Sequence, residues 1–357
     1  MERSYNFNAG PAALPLDVLK KAQSELTNFK NSGMSVMELS HRSKEYEEVH
    51  NRAQQLLREL LNIPENYEVL FLQGGASLQF TMVPINFLGN GNGSYVLTGS
   101  WSKKALKEAE KIGKTTIAAT SEQTNFDRIP KLNELSIDDN ASYVHITSNN
   151  TIYGTQWQAF PTVENLIADM SSDILCRPLD VSKFKLIYAG AQKNLGPSGV
   201  TVVIADKNFL EKGADNLPTM LDYRTHSKNN SLFNTPPTFA IYMLSLVLEW
   251  LKDQGGTEKI QETNNQKASL LYNVIDESNG FYNGHAQKDS RSIMNVTFTL
   301  PSDDLTKQFL AESKELGFVG LNGHRSIGGC RASIYNAVPL ESVEKLSEFM
   351  ISFQKKA

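Results

Sequence analysis

Apolar positions recur along this chain with two periods. Leu16, Leu19, Ala22, Leu26 and Phe29 fall at helical spacing, with Gly33 ending the run. Tyr46, Val49, Ala53, Leu56, Leu57 and Leu60 form a second stripe behind a candidate N-cap at Ser43. Before them, Gly10, Pro11 and Pro15 exclude a regular helix, so residues 6–15 read as an irregular arm. Short apolar runs predict strands at 67–72, 95–98, 115–120, 142–147 and 166–168, and GNGNGS at 89–94 reads as a turn. The strand at 67–72 feeds QGGASLQF and an apolar helix ending near Gly89, and Trp101 opens an amphipathic helix. Residues 215–235 look irregular, and a long apolar helix follows at 239–251. Beyond a boundary within 253–280 the pattern becomes strand (292–300), helix (303–316), two strands and a last helix (341–353). Strand–helix alternation makes the chain an α/β protein with an α+β C-terminal part. The predicted division is an arm at 1–15, a large domain at 16–255 and a small domain at 256–357.

Composition narrows the classes of function. With 357 residues, 40% of them hydrophobic, and a net charge of −4, the chain has material for a sizeable core and no basic stripe for nucleic acid. No apolar run is long enough to span a membrane, so no membrane partner is expected. Cys176 and Cys330 have no metal-ligand spacing, and no metal is expected. With no secretory or transit pattern at the start, the expected home is a reducing cytoplasm.

Candidate chemistry centres on KLIYAGAQKNLGPSGVTVVI at 185–204. Two β-branched runs flank a polar turn with Gly190, Gln192, Lys193, Asn194, Gly196, Pro197 and Gly199. Lys193 therefore sits on a short, glycine-bounded connection. A hairpin-tip lysine on the surface fits that address. So does a lysine whose amine, desolvated and beside other cations, attacks a carbonyl as a Schiff base. Upstream, Asp169 ends the strand at 166–168, where a carboxylate is a cap or the partner of a positive group. Pyridoxal phosphate needs such a pair, a lysine for its aldehyde and an acid for its ring nitrogen.

The runs SHRS (40–43), GGASLQF (74–80), GSW (99–101), DMSS (169–172), YAGAQKNLGPSGVTV (188–202), FNTPPT (233–238) and GGCRASIYNA (328–337) resemble the phosphoserine aminotransferase family. The likeness extends from NFNAGPAALP at 6–15 to the last strand. It implies a fold-type I enzyme of class V, with a large mixed, mainly parallel sheet and a smaller α+β domain. The implied reaction is reversible amino transfer between glutamate and 3-phosphohydroxypyruvate, with pyridoxal 5'-phosphate as cofactor. A related step in pyridoxine synthesis, on a phosphorylated hydroxythreonine, is a further expectation.

By resemblance, Lys193 and Asp169 are the catalytic pair, and Trp101 stacks on the cofactor ring. Thr151 meets the ring oxygen, and Ala76, Ser77 and Gln192 meet the phosphate. Asn234 and Thr235 reach the partner's cofactor phosphate in a homodimer with shared active sites. The double glycine before a helix is in itself a ready anion site. Some family members carry arginine where Ser77 stands, so another group must supply that charge. Asn150 stands where glutamate is expected, beside the Thr151 contact. Arg331 is assigned to the substrate α-carboxylate, and strand alternation then turns Cys330 away from the site. Two His-Arg pairs, His41 with Arg42 and His324 with Arg325, suit a doubly charged phosphate.

Three other classes compete with this reading. A cysteine desulfurase needs a thiol on a mobile loop, and neither cysteine fits. A Schiff-base aldolase needs a barrel and has no use for Asp169. A cofactor-binding scaffold needs no Arg42 or Arg331.

Overall fold

The computed structural model describes residues 3–357, and its centre is a seven-stranded sheet. Its strands are β1 Tyr67–Leu72, β2 Asn92–Leu97, β3 Thr115–Thr120, β4 Ala141–Thr147, β5 Leu166–Asp169, β6 Leu186–Gly190 and β7 Thr201–Asp206. Their order in space is β1-β7-β6-β5-β4-β2-β3. Only β7 runs antiparallel to its neighbours, so the sheet is mixed and mainly parallel.

Strand alternation divides the core between two faces. In β1, Val69 and Phe71 face one apolar cluster while Leu70 and Leu72 face the other; in β7, Val202 and Ile204 oppose Val203 and Ala205. Helices α1 Leu16–Glu25, α2 Lys44–Leu61, α3 Gly75–Phe87, α4 Ser100–Ala109 and α5 Thr238–Asp253 surround this sheet. Leu56, Leu57, Leu244 and Leu248 of α2 and α5 cover the first face, and Phe80, Val83 and Leu106 of α3 and α4 cover the second. The C-terminal ends of β1, β2, β4, β5 and β6 meet at one edge, where ligands bind in open α/β sheets.

Past α5, the left-handed Gly255 (φ 93°) and Gly256 (φ 75°) turn the chain into α6 Gly256–Glu277. This helix packs with α8 Leu340–Lys356 and a small antiparallel sheet that includes β8 Asn295–Thr299 and β9 Cys330–Ser333; α7 Asp303–Glu315 lies between those strands in sequence. The strand Tyr5–Asn6 pairs in parallel with Phe318–Val319, and Phe7 is buried in the same C-terminal core.

Several boundaries differ from the periodic reading. The first helix stops at Glu25 instead of running toward Gly33. Asn28 Oδ1 captures the Gly33 amide at 2.8 Å, and Lys30 and Asn31 are left-handed; Phe29 is core all the same, reached by another route. The glycines at 91–93 do not prolong a turn, because β2 begins at Asn92: a Cβ on Gly93 would lie 2.7 Å from Tyr143 Oη. The stretch 215–235 contains a short helix, Tyr223–Lys228, capped by Asp222. The strand expected over 292–300 is Asn295–Thr299. Ser43 caps α2 as expected, its hydroxyl accepting from the Tyr46 amide at 3.3 Å.

Candidate active site

Lys193 lies in the ten-residue loop 191–200 joining the antiparallel β6 and β7. Ala191 N to Val200 O (3.0 Å) closes the loop, and Gly196 N to Ala191 O (2.8 Å) tightens it. Asn194 fixes it from below, donating to the Ile174 carbonyl (3.0 Å) and accepting from the Asn336 amide (3.1 Å). From above comes the arm: Ala12 N donates to Gln192 O (2.9 Å), and a Cβ on Gly10 would sit 3.4 Å from Lys193 Cε.

The lysine amine donates to Thr151 Oγ1 at 2.6 Å. Arg331 donates to the carbonyl of the same threonine at 3.2 Å, so a single residue, four positions past the end of β4, anchors both cations. Burial pulls the Lys193 proton affinity down to about 8; the Asp169 charge opposes this, and the Arg331 charge adds to it. Burial also lowers that of Arg331.

Asp169 ends β5 and is buried. Its Oδ1 accepts from Ser171 Oγ (2.6 Å) and Ser171 N (3.0 Å). Burial raises its proton affinity, while the Ser171 hydrogen bonds and the Lys193 charge counter the rise. Ser171 Oγ accepts in turn from Gly190 N (3.0 Å), which ties the acid to the end of the lysine's own strand. A second acid, Asp173, is buried one turn on, held by Gln156 Nε2 (3.0 Å) and Ser148 Oγ.

Lys193, Thr151, Asp169 and Ser171 line one cavity with Gly75, Ala76, Ser77, Trp101, Thr147 and Gln192. Gly74 (φ 86°) and Gly75 (φ 64°) take the left-handed backbone that brings β1 sharply into α3. The first turn of α3 therefore points its free amides and positive dipole end into the cavity. Trp101 Nε1 and Thr147 Oγ1 are buried with no hydrogen-bond partner among the described residues. The arrangement offers an amine of lowered basicity, a buried acid, an anion cradle and an aromatic wall.

A model of the family described as aminotransferase class-V matches residues 4–346. Phosphoserine aminotransferase of Geobacillus kaustophilus is 68% identical, over 100% of this chain and 99% of its own. That of Bacillus subtilis is 63% identical over the same shares. Among solved structures, the phosphoserine aminotransferase of Bacillus circulans subsp. alkalophilus superposes with a TM-score of 0.98 at 57% identity, covering 100% of this chain and 99% of that one. The Trichomonas vaginalis enzyme, solved with its PLP bound, gives 0.93 at 40% identity, covering 98% and 100%.

The chain belongs to the phosphoserine aminotransferase family of class-V aminotransferases. Its fold is that of a fold-type I aminotransferase.

Not every residue singled out in the sequence meets in this cavity. Lys193, Asp169, Ala76, Ser77, Trp101, Thr151 and Gln192 line it. Arg331 touches it through Thr151, and Cys330 on the same strand faces the C-terminal core. His324 and Arg325 sit on the loop preceding β9, near Arg331: after burial, the charges of Arg331, Arg325 and Lys104 hold the His324 proton affinity below its ordinary value. His41, Arg42, Asn234 and Thr235 lie outside the cavity of their own chain. Arg42, Asn234 and Thr235 are exposed, while His41 Nε2 is buried without a partner among the described residues. The periodic reading missed Asp173, although DMSSD spells a second acid four positions after the first. It also missed the contact of the arm with the lysine loop, for which no local pattern exists.

Proposed function

We propose that this chain transfers an amino group reversibly between glutamate and 3-phosphohydroxypyruvate, giving O-phosphoserine and 2-oxoglutarate, with pyridoxal 5'-phosphate as cofactor. The observation that carries the reading is the buried Lys193, 2.6 Å from Thr151 Oγ1 in a cavity shared with Asp169 and the start of α3.

The donor set suits the cofactor. The α3 amides at Ala76 and Ser77, with Gln192, would hold its phosphate, and the unpartnered Trp101 Nε1 stands at the same wall. Ser171 engages Oδ1 of Asp169 and leaves Oδ2 for the ring nitrogen. Trp101 would cover one ring face, and Thr151 would meet the ring oxygen. When bound, pyridoxal phosphate supplies the aldehyde and the electron-withdrawing ring on which amino transfer depends.

The chain's own residues do the rest. Asp169 keeps a proton on the ring nitrogen, and its burial strengthens that interaction. Lys193, lowered to about 8, is roughly one-tenth free amine at neutral pH, far more than an ordinary lysine at about 10.4, and as that amine takes the proton from the substrate Cα. Arg331 holds the α-carboxylate in a fork and so sets which substrate bond faces the lysine. His41, Arg42, His324 and Arg325 would select the phosphate. A cysteine desulfurase reading lacks its thiol, since Cys176 and Cys330 are both buried.

Further proposals rest on the same reading. His41, Arg42, Asn234 and Thr235 lie apart from their own chain's cavity, which supports a homodimer whose subunits complete each other's sites. The left-handed Gly255–Gly256 junction supports a division into arm (1–15), large domain (16–255) and small domain (256–357). Among the described residues no helix is long and apolar enough to cross a membrane, and we place the enzyme in the cytoplasm. A second role in pyridoxine synthesis follows if the phosphate clamp accepts the phosphorylated hydroxythreonine.

The test is to load purified protein with pyridoxal phosphate, add glutamate alone and follow the visible spectrum. The band should shift with glutamate, return with phosphohydroxypyruvate, and fail to complete that cycle in Lys193→Ala. A loaded protein indifferent to glutamate would overturn the reading.

A further inference from the structure

Ser77, in the first turn of α3, brings no charge to the mouth of the cavity. A different cation stands against the cavity's aromatic wall. Lys104 lies one helical turn after Trp101 in α4, and its Nζ sits 4.2 Å from the centre of the Trp101 ring. A long side chain at that spacing leans back toward the helix N-terminus, which here is the cavity edge. Ile327, on the loop bearing His324 and Arg325, packs against the same apolar cluster as Trp101. Both segments thus border the same apolar cluster, and the positive charges of Lys104, Arg325 and Arg331 all act on His324. Lys103 is tied to Glu122 at 2.5 Å, whereas Lys104 joins no ion pair among the described residues. Positive groups gathered without a counter-charge repel one another, and a bound dianion relieves that repulsion.

We infer that Lys104 is a specificity-determining residue, held over Trp101 to bind the phosphate of the substrate where Ser77 cannot. The inference rests on the proposed transamination and deepens it. Trp101 fixes the ammonium by a cation–π contact and shields one side of it from water, so the charge is placed with little loss of side-chain freedom. The phosphate would then be gripped by His324 and Arg325 on one loop and by Lys104 on the other side of the mouth.

The test uses the loaded holoenzyme and its two half-reactions, read by rapid-mixing absorbance, with Lys104→Met and Lys104→Arg. Methionine keeps the length and the packing on the ring but removes the charge. For Lys104→Met, kcat/KM with phosphohydroxypyruvate should fall about tenfold, mainly through KM, as for loss of one charge-assisted contact. The reactions with glutamate and with unphosphorylated hydroxypyruvate should stay within about twofold, and Lys104→Arg should recover most of the loss. An equal fall for all three substrates would assign Lys104 to packing of Trp101 and overturn the inference. An unchanged selectivity for the phosphorylated acid would overturn it too, with the proposed function intact. If the parent enzyme itself ignores glutamate, the proposed function fails and takes the inference with it.

Discussion

The amine of Lys193 and the hydroxyl of Thr151 lie 2.6 Å apart across 42 positions of sequence. The threonine accepts, so the contact favours the charged amine, while burial opposes it and wins, leaving the lysine at about 8. The reactive form is the free amine, whose fraction rises with pH through the folded value. Cofactor loading of the apoprotein, followed by visible absorbance, should therefore accelerate with an apparent midpoint near 8 and then level off. Thr151→Val removes an acceptor for the charged form, so its midpoint should move lower. A midpoint near that of a free lysine, about 10.4, would contradict the burial argument.

Arg331 should act on every substrate alike, because all carry the α-carboxylate. Arg331→Lys loses the planar fork, and KM should rise on the order of tenfold to a hundredfold for glutamate and phosphohydroxypyruvate together. Separate half-reaction kinetics check this. A defect confined to the phosphorylated acid would move Arg331 into the phosphate site.

Lys267 is a fully buried lysine with a structural task. Its Nζ donates to the carbonyls of Ile334, Tyr335 and Val338 at 3.0, 2.7 and 3.1 Å, pinning the segment that leaves β9. Lys267→Met would strand three buried acceptors, and urea unfolding should show a loss of about 2–4 kcal/mol. Parental stability would mean that water replaces the ammonium there.

Both thiols should be silent in the native protein. Burial pushes Cys176 and Cys330 up to about 12, far from the thiolate that reacts. A thiol reagent at pH 8 should label neither cysteine until denaturant is added, when both should react. Labelling of the folded enzyme at either position would reopen the desulfurase alternative.

The lysine, the acid and the anion-binding turn were legible because each follows from short-range chemistry: a glycine-bounded loop, a strand-end carboxylate, a strand–glycine–helix junction. Strands were legible where a continuous apolar run marks a strand buried on both faces, as in YEVLFL. The sequence misled where an apolar residue reaches the core off the helix, as Phe29 does, and where a glycine serves a close approach, as Gly93 does beneath Tyr143. Lys104 escaped notice for a different reason. In sequence it is one lysine of a charged helix face, and its standing depends on a loop more than two hundred positions away.

The arm has a consequence for how the enzyme is born. Residues 5–12 emerge from the ribosome long before residues 317–335, yet Tyr5 and Phe7 bond to Gly317 and Val319, Ala12 to Gln192, and Ala9 accepts from Tyr335. The arm must wait for partners made much later, since the Ala9–Tyr335 contact spans 326 positions. A chain halted before residue 317 carries all seven sheet strands and Lys193 but lacks the partners of Tyr5, Phe7 and Ala9, so the arm over that lysine is anchored only once residues 317–335 have been made.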